Sequence, residues 1–201
     1  MRSLYRYILA SGSPRRKEIL SRLGFEYEIK VSDVSEEHDD MPPSAIVKEL
    51  SRRKAVAVAE LMQEEDQAGD ECCIIIAADT LVSVDERVLG KPADRKESKK
   101  MIELISGRAH QVYTGVALMA LPAKKIRVFC DRTDVHVRAL SEAEMDEYVN
   151  SGEGDDKAGA YAIQGEFGRF ITAFEGSKDN VIGFPSEMFM TELNKFKEEL
   201  Q

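Results

Sequence analysis

Short apolar runs alternate with longer amphipathic segments along the chain, and small or charged residues separate them. Apolar runs bounded by turn residues are typical of buried strands. Strands are predicted at 5–10, 25–31, 72–78, 81–84 and 170–174, with a long pair at 110–121 and 125–139 joined by a turn around Pro122. Because Asp79 and Thr80 interrupt two of these runs, we expect the first half of that strand to end there.

Apolar residues recur at helical spacing between the strands, and polar residues mark where the helices begin. Helices are expected at 14–23, 44–62, 94–105, 141–150 and 185–200, with a polar connection at 63–71. Ser13 and Ser44 are the predicted N-caps of the first two helices, and Ser141 with Glu144 matches a capping box. The alternation of helices and strands predicts an α/β fold, a mixed twisted sheet flanked by helices in a single domain over 1–201.

The sequence LASGSPRR, residues 9–16, joins the first predicted strand to the first predicted helix. Arg15 and Arg16 fall in the first turn of that helix, where the helix dipole favours anions and disfavours cations. Ser11, the free backbone N–H groups and the two guanidiniums together suit phosphate oxygens. A capped helix with surface arginines is the alternative interpretation of the same residues.

The composition narrows the class of protein. Hydrophobic residues make up 43% and charged residues 32% of the 201 residues, which excludes a disordered or fibrous chain. The formal net charge of -9 argues against a nucleic-acid polymer or an anionic membrane as partner, because both need a basic face. A small basic pocket in this acidic body would suit a small polyphosphate brought in with a metal ion.

Cysteine usage and apolar run lengths indicate the compartment. The chain has three cysteines, two of them adjacent, which give no readable disulfide framework, so we expect a reducing compartment. No stretch reaches the roughly 18 apolar residues of a membrane span, and the first residues lack the apolar core of a signal peptide. A cytoplasmic location is therefore expected.

Three further clusters could carry chemistry. Asp79 in AADT follows a buried apolar run, where a carboxylate is costly unless it is catalytic or binds a metal; a plain strand-terminating aspartate is the alternative. Lys91 in LGKP could bind an anion or be an ordinary solvated loop lysine. The glycine-rich segment DKAGAYAIQG, residues 156–165, allows close backbone approach to a ligand, and a flexible surface loop explains it too.

Several common catalytic motifs do not occur in the sequence. G-x-x-x-x-G-K-[ST] is missing, which argues against a P-loop kinase or ATPase. G-x-S-x-G and H-E-x-x-H are missing too, which removes the usual serine hydrolases and zinc proteases. His38, Asp39 and Asp40 stand in an acidic loop without helical partner histidines, and a metal site needs several ligands.

Taken in order, these clusters resemble the Maf family of nucleoside triphosphate pyrophosphatases. The resemblance spans nearly the whole chain. It is carried by LASGSPRR, Glu36 in the acidic loop, Lys54 in SRRKA, AADT, GKP, HQVYTGVAL and DKAGAYAIQG. It implies a Maf- and inosine-triphosphatase-like fold with two lobes around a central cleft.

The resemblance implies hydrolysis of a nucleoside triphosphate to the monophosphate and pyrophosphate with a divalent metal ion, Mg2+ or alternatively Mn2+. Asp79 matches the proton acceptor, which would take a proton from the water that attacks the α-phosphorus. Glu36 is the candidate metal ligand. The positions that hold the triphosphate are matched by Ser11, Arg16, Lys54 and Lys91.

Three positions separate branches of this family, and the sequence has Arg15, Thr80 and Gln164 there. This combination resembles the branch that acts on dTTP and UTP, whereas the branch for 7-methyl-GTP carries Trp, Gln and Glu. A glutamine side chain has both a donor and an acceptor with which to pair with a pyrimidine edge. The resemblance also implies a homodimer and a house-cleaning role in the nucleotide pool.

Two other functions are open at this point. A sugar-nucleotide nucleotidyltransferase also works at an α-phosphorus, but of its G-x-G-x-R-x-x-P-K pattern only Gly12 fits, and the proline here precedes the arginines. A non-catalytic nucleotide-binding regulator of cell division is the second, because Maf-like proteins are linked to inhibition of septum formation. Asp79 favours the enzyme, since a pure binder needs no base.

Overall fold

A mixed β-sheet forms the centre of the protein in the computed structural model, which describes residues 5–65 and 72–201. The strands within these residues are β1 (Arg6–Leu9), β2 (Glu28–Ile29), β3 (Cys73–Val84), β4 (Arg87–Leu89), β5 (Ala109–Leu121), β6 (Lys125–Val137) and β7 (Ile171–Glu175). They follow the order β2, β1, β3, β5, β6, β7, with β4 paired to β3 outside this path. β1 runs parallel to β2 and β3, and the other pairs are antiparallel.

Helices cover both faces of this sheet. They are α1 (Pro14–Arg22), α2 (Pro43–Glu64), α3 (Arg95–Ile105), α4 (Glu142–Ser151), α5 (Lys178–Ile182) and α6 (Ser186–Leu200), with 3₁₀ turns at Ala158–Ala160 and Glu166–Phe170. α2 packs on one face, and the other helices contribute to the larger core on the opposite face. None of the helices in the described part of the chain has the length and apolar character needed to cross a membrane. The predicted α/β fold is confirmed.

The helix caps differ in part from the prediction. The capping box of α4 is confirmed, because Ser141 Oγ accepts a hydrogen bond from the N–H of Glu144, whose carboxylate accepts one from the N–H of Ser141. Ser13 occupies the N-cap position of α1, but its side chain makes no capping bond. The Ser44 prediction is wrong: α2 begins at Pro43 with Pro42 as N-cap, since proline is already in a helical conformation at the first helical position.

Several short elements depart from the sequence prediction. β2 contains only two residues where a strand over 25–31 was expected, because it pairs with β1 alone at the edge of the sheet. β4 and α5 were not predicted, since three and five residues are too few to show a period. Helix α2 extends through Glu64, and most of the predicted connection at 63–71 lies outside the described residues.

The edge of β3 that faces β1 is paired only at its two ends. β1 pairs with residues 73–76 and β4 with 82–84, so no described strand covers 77–81, a gap that we call the notch. On the other edge β5 pairs along nearly all of β3, and the strand therefore continues through Asp79 and Thr80 where an end was expected. Because side chains alternate along a strand, these two residues point to opposite faces of the sheet at the notch.

The notch also leaves backbone groups without strand partners. The N–H of Ala10 donates to the carbonyl of Ile76 at 2.8 Å, which is the last bond between β1 and β3. Alternate peptide groups of a strand point to the same edge, so those of Ala78 and Thr80 face the notch. Buried backbone groups need hydrogen-bond partners, and the notch is therefore a place where a ligand or water is expected to bind.

Gly115 lets α2 approach the sheet beside the notch. Gly115 pairs with Asp79 across β3 and β5, and a Cβ built on it would lie 2.2 Å from the carbonyl oxygen of Val47 in α2. The helix backbone therefore rests directly on the sheet at this point. Lys54 lies about two helical turns further along α2, and its ammonium is 2.6 Å from the Asp79 carboxylate.

His110 and Tyr161 form a buried pair that ties β5 to the 156–165 segment. His110 Nε2 lies 2.8 Å from the Tyr161 hydroxyl, and the rings meet edge to face at 5.1 Å. Burial lowers the pKa of His110 to about 4, an effect that the Asp134 charge opposes and His136 adds to. Burial also raises the pKa of Tyr161. Both side chains are therefore neutral at pH 7.

Replacing Gly115 with alanine should destabilise the protein by about 1–3 kcal/mol, because the new methyl group must push α2 away from the sheet. Denaturant unfolding of the two proteins measures the difference. Gly90→Ala is the matched control, since a Cβ at Gly90 meets no atom within 4 Å. Equal destabilisation by both substitutions would contradict the close contact.

His110 should make stability depend on pH. The unfolded histidine takes up a proton near pH 6.5 and the folded one only near pH 4, so the unfolded state binds more protons between these values. Stability is therefore full above pH 6.5 and falls as the pH drops, by about 2 kcal/mol between pH 7 and pH 5 for this residue alone. Urea unfolding of His110→Gln should lack this loss, and the exposed-site control His38→Gln should retain it; identical pH profiles of both variants would contradict the assignment.

Candidate active site

Arg16 is the centre of a polar cluster at the start of α1. Its Nη1 donates to Ser11 Oγ at 3.2 Å, its Nη2 to Thr80 Oγ1 at 3.1 Å and its Nε to the carbonyl of Gly183 at 3.0 Å. Burial lowers the pKa of Arg16, and Asp79 opposes that effect. The guanidinium thus joins three segments that are distant in sequence and holds a positive charge at the helix terminus.

The first turn of α1 also has unused hydrogen-bond donors. Pro14 has no N–H, and the N–H groups of Arg15 and Arg16 meet no acceptor within the described residues. The expected Ser13 cap is missing, because Ser13 Oγ accepts no bond from this turn; the Ser13 N–H donates to Ser11 Oγ at 3.2 Å. Free N–H groups at a helix start form an anion site, so the anion interpretation of LASGSPRR is favoured over the capped-helix alternative.

A second polar cluster lies on the α2 face of the sheet. Lys54 Nζ is 2.6 Å from Asp79 Oδ1 and 2.8 Å from Glu36 Oε1. Asp79 is buried, the Lys54 side chain is largely buried, and Glu36 is exposed. The hydrogen bond from Lys54 lowers the pKa of Glu36, and the charges of Lys91 and Arg16 add to this effect. Lys54 therefore connects two carboxylates, one inside the notch and one at its rim.

A cleft of about 400 Å3 opens on the α1 face of the sheet. Charged residues line part of it: Arg15, Arg16, Lys91, Asp156 and Lys157. The rest of its lining is largely apolar: Val82, Val112, Ala158, Tyr161, Ile163, Val181 and Ile182. A polyphosphate would fit the cationic part of the cleft, and a flat nucleobase would fit the apolar part. The cleft therefore has the two kinds of lining that a nucleotide needs.

The 156–165 segment forms one wall of this cleft and is bonded to Gly90, the residue before Lys91. Gly159 has a φ of 69°, and a Cβ there would lie 2.9 Å from Val82 in β3. Its N–H donates to the carbonyl of Gly90 at 3.0 Å, next to Lys91. Only glycine fits this left-handed position against the strand. The segment is therefore packed on the sheet, contrary to the flexible-loop alternative.

The structure brings most of the predicted site residues to the notch and the cleft. Ser11, Arg16 and Thr80 meet on one face of β3, and Glu36, Lys54 and Asp79 meet on the other. Arg15 and Lys91 line the cleft. Gln164 is exposed and is not among the residues that line it. The two clusters are separated by a single peptide unit of β3, since Asp79 and Thr80 are consecutive.

Sequence reasoning missed the contribution of α5 and its flanking residues. The carbonyl of Gly183 accepts the hydrogen bond from Arg16. The hydroxyl of Thr114 shares a hydrogen bond of 2.9 Å with Thr80 and donates to the carbonyl of Asn180 at 3.0 Å. The signal for α5 was Ser177, which caps Asn180, followed by the glycine that ends the helix. That pattern predicts a short helix but does not indicate that the helix contacts a site.

The donor set bears on metal binding. Within residues 5–65 and 72–201, no three His, Cys, Asp or Glu side chains are grouped so that they could hold a metal ion. Asp79 and Glu36 supply two carboxylates that contact one ammonium. Mg2+ commonly binds through one or two carboxylates together with substrate phosphates and water, so this pair fits that ion.

Comparison with known proteins gives consistent matches along the chain. The model of the family described as Maf-like protein matches residues 6–196. A dTTP/UTP pyrophosphatase from Bacillus cytotoxicus is 43% identical over 95% of both chains. One from Bacillus anthracis is 44% identical over 94% of both, and one from Caldanaerobacter subterraneus is 43% identical over 88% of this chain and 82% of its own.

A solved structure shows the same fold at much lower identity. A HAM1 protein from Coxiella burnetii matches 95% of this chain and 99% of its own with a TM-score of 0.54 and 16% identity. That likeness concerns the fold alone. Because the family model covers nearly the whole sequence and the relatives are 43–44% identical over most of their length, the chain belongs to the Maf family.

Proposed function

We propose that this chain hydrolyses dTTP and UTP to the monophosphate and pyrophosphate, as nucleotide-pool house-cleaning. The observation that carries the proposal is the position of the buried carboxylate of Asp79 in the notch, one residue from the Arg16 cluster. The relatives named dTTP/UTP pyrophosphatase support the same activity. A buried carboxylate is costly to keep, which favours an enzyme over a non-catalytic regulator.

The triphosphate binds at the start of α1. Ser11 Oγ accepts bonds from the Ser13 N–H and from Arg16, so both of its lone pairs are used and its own O–H is free to donate. Phosphate oxygens are acceptors, and the free N–H groups of α1 and the Lys91 ammonium add further donors. Together these groups offset the charge that spreads over the phosphate oxygens in the transition state.

Asp79 acts as the general base. It takes a proton from a water molecule as the water oxygen bonds to the α-phosphorus, and the bond from that phosphorus to the bridging oxygen of the β-phosphate breaks. Pyrophosphate leaves with the electron pair of that bond. Lys54 orients the Asp79 carboxylate through its 2.6 Å contact.

Glu36 and Asp79 would hold a divalent cation, Mg2+ or alternatively Mn2+. When bound, the cation supplies positive charge to the phosphate oxygens and so favours departure of pyrophosphate. Lys54 contacts both carboxylates, Asp79 inside the notch and Glu36 at its rim.

Base selection rests on Arg15, Thr80 and Gln164 in this proposal. Arg15 and Thr80 line the cleft. The hydrogen bond from Lys157 is the main cause that lowers the pKa of Asp156, and the charge of Arg15 lowers it further. Gln164 follows Ile163, which lines the cleft, and its assignment stays a prediction. The cytoplasmic location, the homodimer and the link to septum inhibition also stay predictions.

Replacing Asp79 with asparagine should lower kcat by about 10²- to 10⁴-fold, because the base is lost while the shape of the notch is kept. Pyrophosphate release from UTP, dTTP, CTP, GTP and 7-methyl-GTP with Mg2+ measures turnover, and calorimetry with UTP measures binding. Binding should persist in the variant. Wild-type protein that binds UTP but releases no pyrophosphate from any of these nucleotides would support the non-catalytic regulator instead.

The two arginines of LASGSPRR should have separable effects. Arg16→Glu should lower kcat/KM for every nucleotide, by roughly 100-fold, because the central donor of the phosphate site becomes an anion. Arg15→Trp should chiefly change the ratio of UTP to 7-methyl-GTP hydrolysis. Arg52→Glu, on the exposed side of α2, is the charge-matched control and should retain wild-type activity; equal effects of the two site substitutions on all nucleotides would contradict the division of roles.

A further inference from the structure

A buried chain of hydrogen bonds runs inward from Arg16. Arg16 Nη2 donates to Thr80 Oγ1 at 3.1 Å, Thr80 Oγ1 lies 2.9 Å from Thr114 Oγ1, and Thr114 Oγ1 donates to the backbone carbonyl of Asn180 at 3.0 Å. Thr114 and Asn180 are fully buried. The chain therefore has no solvent contact beyond Thr80, and water does not compete for its inner bonds.

Asn180 is itself held in one orientation. Its Nδ2 donates to the carbonyl of Val112 and to Thr133 Oγ1, each at 3.0 Å, and Thr133 Oγ1 donates to the carbonyl of Ser177 at 3.0 Å. A flipped amide would place Oδ1 against the Val112 carbonyl, an acceptor facing an acceptor. These side-chain bonds hold the whole residue in place, so its backbone carbonyl forms the inner end of this series of hydrogen bonds.

The two ends of the chain determine where each proton lies. A guanidinium can only donate, and a backbone carbonyl can only accept. Thr114 has one hydroxyl proton, which the Asn180 carbonyl takes, so the proton between the two threonines must come from Thr80. The carbonyl of Gly183, at 3.5 Å from Thr80 Oγ1, is also an acceptor on the protein side. In either case the Thr80 proton points into the protein.

Thr80 consequently offers only an acceptor to the cleft. One lone pair of its oxygen receives the Arg16 bond and the second remains for a ligand. Ser11, on the other side of Arg16, has the opposite polarity, because both of its lone pairs are filled and its proton is free. Ser11 suits a phosphate oxygen, whereas Thr80 does not, since phosphate oxygens have no proton to donate at neutral pH.

We propose that Thr114, backed by the Asn180 carbonyl, determines base specificity by fixing Thr80 as an acceptor for the imide N3–H of uracil or thymine. Cytosine has an unprotonated N3 and would present a lone pair to a lone pair. The inference rests on the proposed function, and it makes Thr114 a positioning residue that acts through Thr80. Besides the N3–H, the donors that UTP and dTTP could offer are the sugar hydroxyls.

Thr114→Val tests the inference with little change in side-chain volume. Valine removes the nearer acceptor of the Thr80 proton, at 2.9 Å, and leaves only the 3.5 Å contact with the Gly183 carbonyl. The Thr80 hydroxyl can then turn and donate to the cytosine N3. The ratio of kcat/KM for UTP over CTP should fall about 3- to 10-fold, the range that one neutral hydrogen bond supports. Thr114→Ser keeps the hydroxyl and should retain the wild-type ratio. Dissociation constants of UTP and CTP, measured in Asp79→Asn and in Asp79→Asn/Thr114→Val, should show the same change without turnover.

The outcomes separate this inference from the proposed function. Pyrophosphate release from UTP by the wild-type protein tests the function alone. If that activity is present but Thr114→Val changes kcat/KM equally for UTP and CTP, Thr80 contacts the ribose or has a structural role, and the base assignment is overturned. The base assignment would also be overturned if Thr114→Ser lowered the ratio of kcat/KM for UTP over CTP as much as Thr114→Val does. Urea unfolding of both variants verifies that they remain folded under the assay conditions.

Discussion

The interrupted pairing along β3 is the constraint on which the site depends. β1 pairs only with the first four residues of β3, and β4 pairs only with the last three residues of β3. A strand that is otherwise buried in the sheet therefore has an open edge in its middle. Consecutive side chains of a strand face opposite ways. Asp79 and Thr80 therefore reach one gap from two sides, with the Asp79 carboxylate on the α2 face and the cleft on the other. A complete neighbouring strand would separate these two chemistries.

Close packing on both faces gives this gap its charges. α2 lies against Gly115, which brings Lys54 to Asp79, while the carbonyl of Gly183 accepts the Arg16 bond on the opposite face. The chain as a whole has a net charge of -9, yet cations gather at the notch. Those cations contact local acceptors such as Glu36 and the Gly183 carbonyl. The fold thus holds the charged groups of the site next to one another.

Long elements were predictable because their periods repeat several times. The helices at 44–62 and 185–200 and the strand pair at 110–121 and 125–139 lie close to their predicted positions. The strand break at Asp79 was wrong for a local reason: a charged residue in an apolar run resembles an end, and only pairing with β5 shows that the strand continues. The short elements β4 and α5 carry too few residues for any period, yet they define one end of the notch and one wall of the cleft.

The sequence by itself determined which chemical groups the protein has and the order in which they follow, because LASGSPRR, AADT, GKP and DKAGAYAIQG are local patterns and their order carries the family resemblance. Only the tertiary structure decided which groups meet. Thr114 lies in HQVYTGVAL and Asn180 in none of the quoted segments, and neither pattern indicates a contact with Thr80, which is 34 and 100 positions away. Their roles follow from hydrogen bonds between segments distant along the chain, and the direction of each bond depends on what lies at both ends of the buried network. The direction of these hydrogen bonds is set by the tertiary packing, because no single segment contains all the groups of the network.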